Sequence, residues 1–521
     1  MKPTKLQEYT EKLEQIPNTS FNADQKKLAL EILKNANSYN LEAIFSLLTK
    51  RIDVGFVFDS APEIQHDAIC LLKHDTKLSF TPDPCTQSHA MIFGENYDAL
   101  KNLLVLYRGC VDCIYIDPPY NTESTKQDGN DYKSKENTSG KFGYRDKFMR
   151  TGWLNMLNER LKLAKDLLSP KGVIFISIDD SEQAYLKVLC DEIFGEGNFV
   201  ANLVWQKKKG GSQDAQHFAK EHEYILCYSK ESWEIYEQTQ KHNEKDFTKT
   251  INGKQAKILK LEKWGVGSLR TDAPSLYYPI KDPNGNDFYP IAPNGQDGCW
   301  RKKPENLDAD HILWQEDSKG RLTPYEVIYF DEVQDKDKII KTRTIFTDCG
   351  TTTEATKEIQ AIFGTKVFET PKPTPLILKL LKIATSPNSL ILDFYAGSGT
   401  TGQAVMELNR EDGGNRRCIL VTSNENNIAR GVMYERIYRI CHGVGTKGEA
   451  FEWVKRNEPF KDQGWEVFKM DRQSLKIDDW QKAKNLAKQA EQSFKILKPG
   501  FAFESDFELY HSLSSLKPYK G

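Results

Sequence analysis

Asp117-Pro118-Pro119-Tyr120 closes the apolar run Val111-Asp112-Cys113-Ile114-Tyr115-Ile116 and brings together a carboxylate, a main-chain carbonyl and an aromatic ring. Two prolines cannot donate to a strand ladder, so a buried strand ending there leaves those three groups projecting from its carboxyl edge. Open α/β sheets carry their chemistry at that edge. The groups suit a planar base bearing an exocyclic amine. Asp117 and the Pro118 carbonyl can accept its two N–H bonds while Tyr120 stacks on the ring. Two acceptors draw the nitrogen lone pair out of conjugation and make it nucleophilic. A bare tetrapeptide of this kind fits an N-capping Asp with a Pro-Pro turn equally well, so a second motif has to decide.

That motif is Leu390-Ile391-Leu392-Asp393-Phe394-Tyr395-Ala396-Gly397-Ser398-Gly399-Thr400-Thr401-Gly402, a strand running into a glycine-rich turn and a helix start. Glycines admit positive φ and close approach of a ligand, and a helix N-terminus offers free N–H groups to a carboxylate or phosphate. Gly397, Gly399 and Gly402 also satisfy G-x-G-x-x-G, the dinucleotide pattern. The acid four residues before the first glycine and the pair Phe394-Tyr395 favour S-adenosylmethionine over a dinucleotide. An acid there can hold the methionine ammonium but would repel a pyrophosphate.

Both motifs need one sheet to position them. Strand-like runs at 90–94, 111–117, 172–178, 200–205 and 223–228 alternate with helical stretches from Trp153 to Leu168 and Gln183 to Phe194. That pattern predicts a mostly parallel sheet with helices on both faces. Two further strands, 389–394 and 417–422, follow a long interruption, so the sheet must be assembled from both halves of the chain. Residues 1 to about 50 show apolar spacings of three and four, as in Leu6, Tyr9, Leu13 and Ile16 and again from Leu41 to Leu48, which predicts a small helical packing or dimerisation module.

With these residues in place, the chain resembles the amino-methyltransferases of DNA in their circularly permuted branch, where DPPY precedes FxGxG; Tyr395 stands in the phenylalanine place. Within that branch it is similar to the modification subunits of type III restriction-modification systems. Matching stretches run from Met91-Ile92-Phe93-Gly94-Glu95-Asn96 through Ile114 to Thr122 and Val173 to Asp180. They continue with Glu221-His222-Glu223-Tyr224-Ile225-Leu226, Phe368-Glu369-Thr370-Pro371-Lys372-Pro373, the glycine turn, Val421 to Ile428 and Trp465 to Lys469, covering roughly residues 50 to 475.

The resemblance implies a Rossmann-like S-adenosylmethionine-dependent methyltransferase fold of the α/β class. It implies an N-terminal helical segment (1–55), a catalytic half of the core (56–230), an inserted target-recognition domain (231–365), a cofactor-binding half (366–455) and a C-terminal segment (456–521). Asp117, Pro118, Pro119 and Tyr120 would be catalytic. Asp393, Phe394, Tyr395, Ala396, Gly397, Ser398, Gly399 and Thr400 would hold the methionine end of the cofactor, and Glu95 and Asn96 its adenine. In the wider superfamily an acid at the next strand end binds the ribose. Here that position is Thr422; Glu425 could reach back if the strand end turns and Asn424 could supply a neutral bond, while the alternative is that Glu425 merely caps the helix beginning near Asn427. An acid opening the tetrapeptide points to adenine N6, with N4 of cytosine as the alternative.

The insertion is rich in aromatics and turns, as in Leu276-Tyr277-Tyr278-Pro279 and Cys299-Trp300-Arg301-Lys302-Lys303, a composition suited either to base and phosphate contacts or to a loop-rich β subdomain. Lys207-Lys208-Lys209 after a strand reads as a phosphate clamp or a solvated face. The polar, lysine-rich stretch from Asn121 to Lys147 reads as a loop beside the site that orders on DNA.

Composition narrows the partners. A formal charge of −2 and a pI of about 6.5 over 521 residues require any DNA-binding surface to be local. Ten scattered cysteines, no secretion signal and no long apolar stretch predict a cytoplasmic protein without a membrane span. Cys110 and Cys113 form one C-x-x-C without a second pair and read as core residues; no histidine spacing suits a metal. No G-x-x-x-x-G-K-[ST] loop is present, so ATP-driven cleavage would belong to a separate restriction subunit. The expected partners are therefore double-stranded DNA, that subunit and a second copy of the chain. An orphan methyltransferase and a non-catalytic DNA-reading subunit are the alternatives.

Overall fold

The computed structural model describes residues 5–15, 23–36, 68–81, 88–120, 149–210, 217–236, 238–317, 320–474 and 480–519, with Leu41, Ile44, Phe45 and Leu48. Ten strands form the central sheet: β1 (Ala68–His74), β2 (His89–Phe93), β3 (Val111–Ile116), β4 (Leu168–Ile178), β5 (Phe199–Gln206), β6 (His222–Ser229), β7 (Ile345–Phe346), β8 (Leu390–Asp393), β9 (Arg417–Thr422) and β10 (Trp465–Ser474). Their order is β1-β10-β2-β9-β8-β3-β4-β6-β5-β7. β1 pairs antiparallel with β10, and β6 antiparallel with both β4 and β5; every other pairing is parallel. As the chain order required, β8 and β9 from the second half lie between β2 and β3 from the first.

Both faces are buried, and side-chain alternation divides them. Ile114 and Ile116 of β3 join one core layer and Cys113 and Tyr115 the other. The first layer is closed by helices α1 (Asn96–Tyr107), α2 (Met149–Leu167) and α3 (Gln183–Phe194), the second by α4 (Thr352–Phe363), α5 (Thr374–Ala384), α6 (Thr400–Asp412) and α7 (Glu435–His442). Asp112 fastens the two halves together: Oδ2 accepts from the Leu390 N–H at 2.9 Å and Oδ1 from Ser169 Oγ at 3.2 Å.

Several boundaries differ from those expected. β7 pairs with β5, and Phe346, Cys349 and Ile362 lie in the second core layer, so the stretch 345–363 belongs to the main sheet and not to the insertion. The end of the chain is likewise part of the main body. β10 lies between β1 and β2, and Phe494, Leu497, Leu513 and Leu516 fill the first layer. What remains of the insertion carries its own four-stranded antiparallel sheet, in the order Ile312–Glu316, Leu322–Tyr329, Lys254–Lys260, Lys249–Ile251. It has small cores around Val327 and Trp300. Helices Lys5–Glu14 and Ala23–Lys34 share a separate cluster of Leu13, Ala29, Leu33 and Leu41.

Cys113 is buried, but Cys110 is exposed and not the core residue expected. Among the described residues no group of histidine, cysteine or carboxylate side chains is arranged to hold a metal, and no helix is long and apolar enough to cross a membrane.

Candidate active site

β3 stops where Pro118 and Pro119 withhold their N–H groups, and Asp117 emerges half-buried at the sheet's carboxyl edge. Its carboxylate is met by Lys372, whose Nζ lies 2.7 Å from Oδ1 and 2.8 Å from Oδ2. The same ammonium is 3.4 Å from Glu223 Oε2. Glu223 also accepts from Lys207 Nζ at 3.1 Å and from the Tyr120 hydroxyl at 3.1 Å. Two carboxylates and two ammonium groups thus form one compact, formally neutral cluster, with Lys372 5.0 Å from the centre of the Tyr120 ring. Trp153 Nε1 donates to the Pro119 carbonyl at 2.5 Å and fixes the turn from behind.

The cluster's protonation follows from burial against pairing. Burial pulls the Lys372 pKa down, but Asp117 and Glu223 outweigh it and leave it above the ordinary lysine value. Burial pushes Glu223 up, yet Lys372, Lys207 and the Tyr120 hydroxyl bring it below the ordinary carboxylate value. Desolvation and then the two acids hold the Tyr120 phenol well above its usual range, so it stays a neutral donor. Removing one member of such a buried set leaves its partner unpaired, at a cost of about 3–5 kcal/mol.

The second motif lies on the adjacent strand, β8, paired in parallel with β3. Gly399 sits at φ +80° as the N-cap of α6, and no side chain caps the first N–H groups of that helix. A Cβ on Gly402 would come 2.9 Å from both Leu420 and Trp465, which is why the helix can seat this tightly on the sheet. Asp393, almost fully buried, turns back into the motif. Oδ1 accepts from the Tyr395 N–H at 3.0 Å and Oδ2 from Thr401 Oγ1 at 2.5 Å. Burial raises its pKa to about 7 against those two bonds, with the charge of Asp117 adding to the rise.

The other sequence-identified residues divide between the turn and its supports. Phe394 and Ala396 are buried, and Tyr395 tilts against Phe394 with ring centroids 5.4 Å apart. Gly397 has φ +49°. Ser398 and Thr400 face inward: both accept from Arg436 Nη1, at 3.2 and 2.9 Å, and Thr400 Oγ1 donates to the Lys372 carbonyl at 3.2 Å. Asn96 reaches the turn, donating Nδ2 to the Phe394 carbonyl at 2.9 Å. Glu95 caps α1 through the N–H groups of Tyr97 and Asp98, and both Glu95 and Asn96 are gripped by the fully buried Arg160.

Glu425, half-buried, opens a short 3-10 turn just beyond β9, and the N–H of Arg430 in the following helix is capped by Asn424 Oδ1 at 2.9 Å rather than by Glu425. The lysine triplet is split. Lys207 points into the acid cluster, so neither a phosphate clamp nor a solvated face describes it as it stands, while Lys208 and Lys209 are exposed. Asn121 and the loop to Lys147 lie outside the described residues.

The residues that sequence reasoning missed are Glu223, Lys372, Arg160 and Arg436. Glu223 and Lys372 stood inside matching stretches, but nothing in their spacing linked them to Asp117, 106 and 255 positions away. The available signal was local. A carboxylate opening an apolar strand and a lysine between two prolines are expensive to bury without a partner.

A protein-family model described as DNA methylase matches residues 111–452, a span that contains both motifs and the acid cluster. The chain belongs to the DNA methylase family. A second model, of an uncharacterised conserved protein, matches residues 6–113. Among curated relatives, the type III restriction-modification enzyme StyLTI Mod subunit of Salmonella typhimurium is 34% identical over 76% of this chain and 60% of its own length. The type II methyltransferase M.KpnI of Klebsiella pneumoniae is 34% identical over 68% of this chain and 84% of its own. The EcoPI Mod subunit of Escherichia phage P1 is 31% identical over 76% and 67%. Among solved structures, the cytosine-N4-specific PvuII DNA methyltransferase matches 71% of this chain and 96% of that one at 12% identity, with a TM-score of 0.35.

Proposed function

We propose that this DNA methylase transfers a methyl group from S-adenosylmethionine to adenine N6 in double-stranded DNA, as the modification and recognition subunit of a type III restriction-modification system. The observation that carries this reading is the adjacency of two strand ends. Asp117 and the Pro118 carbonyl end β3, and the glycine turn follows β8 beside it. The donors present fit the cofactor. The uncapped start of α6 suits its carboxylate, Asp393 lies beside the turn as the acid for its ammonium, and Glu425 is the acid at the next strand end.

When bound, the cofactor supplies an electrophilic methyl group on a sulfonium. The chain's own residues do the rest. Tyr120 stacks on the flipped base; Asp117 and the Pro118 carbonyl accept from its amino group and direct the lone pair at the methyl carbon. With the cofactor bound, those contacts would direct the nitrogen to the sulfonium methyl group, whose C–S electron pair would remain with sulfur. The proton released from nitrogen passes to Asp117 and then to solvent.

Sequence reading is proposed for the insertion. Its exposed loop carries Trp264, with Lys260 Nζ 5.2 Å from the ring centre, and Val266, while Arg270 lies 4.2 Å over Tyr277. Cations interleaved with exposed aromatics serve phosphates and bases together. A separate ATP-dependent restriction subunit is the proposed partner, and the N-terminal helices are the proposed contact of a homodimer. The high coverage of M.KpnI favours a second reading, a methyltransferase acting without that partner.

The test is base-resolved sequencing of genomic DNA from strains with and without the gene. N6-methyladenine at one gene-dependent sequence is expected. Methylation of cytosine N4 at such a site would overturn the base assignment, and no gene-dependent mark at all would overturn the activity.

A further inference from the structure

Lys372 stands where the substrate should go. Its ammonium lies between the two Asp117 oxygens, at 2.7 and 2.8 Å, and so covers the inner lone pairs of the carboxylate proposed to receive the amino group. A permanent ion pair there would compete with the base, and a positive charge at that point would oppose the charge that develops on the attacking nitrogen. Yet an acid with no counter-ion at a half-buried strand end would be free to rotate or to take up a proton. The surroundings provide a way between these outcomes.

We propose that Lys372 is an exchangeable counter-ion, a positioning residue that holds Asp117 in the base-free enzyme and steps across to Glu223 when the target amino group enters. The proposal rests on the methyltransferase reading above and concerns how that site admits its substrate. Glu223 is already 3.4 Å from the ammonium, so the lysine side chain can turn away from Asp117 while the cation keeps a carboxylate partner throughout. A carboxylate has about four acceptor positions. Glu223 receives Lys207 on Oε1 and the Tyr120 hydroxyl on Oε2, which leaves room for a third donor. Glu223 is buried, with only 5% of its side chain exposed, so it is a strong resting place for a cation.

The backbone supports a swing of the side chain alone. Pro371 and Pro373 flank Lys372, and its carbonyl is held by Thr400 Oγ1 at 3.2 Å, so the main chain stays tied to the glycine turn while the long side chain exchanges partners. The groups that face the ammonium are Asp117 from β3, Glu223 from β6 and the Tyr120 ring, with Lys207 behind Glu223. Transfer of Lys372 to Glu223 frees both Asp117 oxygens and removes the cation from the attacking nitrogen in one movement.

The test uses the full chain in four forms: native, Glu223→Gln, Lys372→Met and the double variant. Single-turnover methylation of target DNA and calorimetric titration of S-adenosylmethionine are measured on each. Glu223→Gln removes the charged resting place and strands Lys372 on Asp117. It should slow transfer by about 10- to 100-fold, the equivalent of one charge-assisted hydrogen bond, with cofactor affinity retained. Adding Lys372→Met to Glu223→Gln should then recover part of that factor, since the obstruction goes while Asp117 loses its positioning partner, and a merely structural lysine cannot produce any such reversal. A double variant as slow as Glu223→Gln, or slower, overturns the proposal. So does a Lys372→Met variant that transfers normally after a cofactor concentration increase but binds cofactor at least tenfold more weakly, since Lys372 would then serve the cofactor. Lys372→Leu replaces the methionine variant if the latter fails to titrate as a folded protein. A native protein that transfers no methyl group overturns the underlying activity instead, so the two failures are distinguishable.

Discussion

Asp117 and Asp393 end neighbouring parallel strands of one sheet, yet the protein treats the two carboxylates in opposite ways. Asp117, with 25% of its side chain exposed, is held by a lysine that has a second acid within reach. Asp393, 2% exposed, is held by a backbone N–H and a threonine hydroxyl, and its pKa is raised to about 7. An ammonium partner on a long side chain can be exchanged for an incoming donor. Neutral donors in a buried turn fix an acid's position and leave its charge to be decided by the ligand. The comparison therefore assigns geometry and acceptor strength to the first acid and a conditional charge to the second.

The strongest way to break this division is Asp117→Ala. If the acid acts on the amino group and not on the cofactor, transfer of label from tritiated S-adenosylmethionine should fall about 10²–10³-fold, the roughly 3–4 kcal/mol of one lost transition-state partner. Cofactor affinity by calorimetry should stay within a few-fold of native. Near-normal turnover would remove Asp117 from the chemistry, and a matching loss of cofactor binding would merge the roles of the two acids.

A smaller effect is expected at the other strand end. Asp393 must be ionised to hold an ammonium, and its raised pKa means that in the free protein it is partly protonated near neutrality. Cofactor binding should therefore release a proton near pH 7. Affinity should increase as pH rises through about 7, be roughly tenfold weaker one unit below the plateau's onset, and level off above. Asp393→Asn, which mimics the protonated acid, should bind at the weak level with no such dependence. The same shift affects folding in the opposite sense. A carboxyl whose folded pKa is raised contributes stability below its unfolded pKa of 3.8, and that contribution is lost as pH rises through about 7. Calorimetry across pH 5.5–8.5 in buffers of differing ionisation enthalpy reads both the slope and the proton. A flat native profile would mean that Asp393 only shapes the turn.

The two acids also mark what the sequence could and could not convey. Both were legible, because each follows an apolar strand and opens a turn of special residues, prolines in one case and glycines in the other. The central strands were legible for the same reason, and β3, β8 and β9 appear within a residue or so of the expected runs. Edges were less so. β1 and β10 were not anticipated as an antiparallel pair, since Lys469, Asp471 and Arg472 break the apolar run of β10 beyond the sheet's centre. The pairings of the acids were not legible. Lys372, Glu223 and Thr401 are joined to them by folding, and periodicity within a window carries no information about a contact that spans 255 positions. The end of the insertion was misplaced because β7 is two residues long, too short to show any alternation.

The finest test of the comparison is Thr401→Val. Thr401 is buried, and its hydroxyl donates to Asp393 Oδ2 at 2.5 Å, so it stabilises the charged acid specifically. Valine keeps the branched shape at the start of α6 but removes the donor. A hydrogen bond to a charged group contributes about 1.5–3 kcal/mol, and about 1.4 kcal/mol corresponds to one pH unit. The midpoint of the cofactor-affinity profile should therefore move upward by roughly one to two units. The variant's Kd should remain close to native well above that midpoint and be weaker, by roughly five- to fiftyfold, near pH 7. Thr401→Ser, which restores the hydroxyl without the methyl group, should return the midpoint towards its native position and so separates the bond from the packing. An unmoved midpoint in Thr401→Val would show that burial and the nearby charge of Asp117 alone set the Asp393 pKa. The contrast between the two strand ends would then rest on solvent exposure and not on the kind of donor each acid receives.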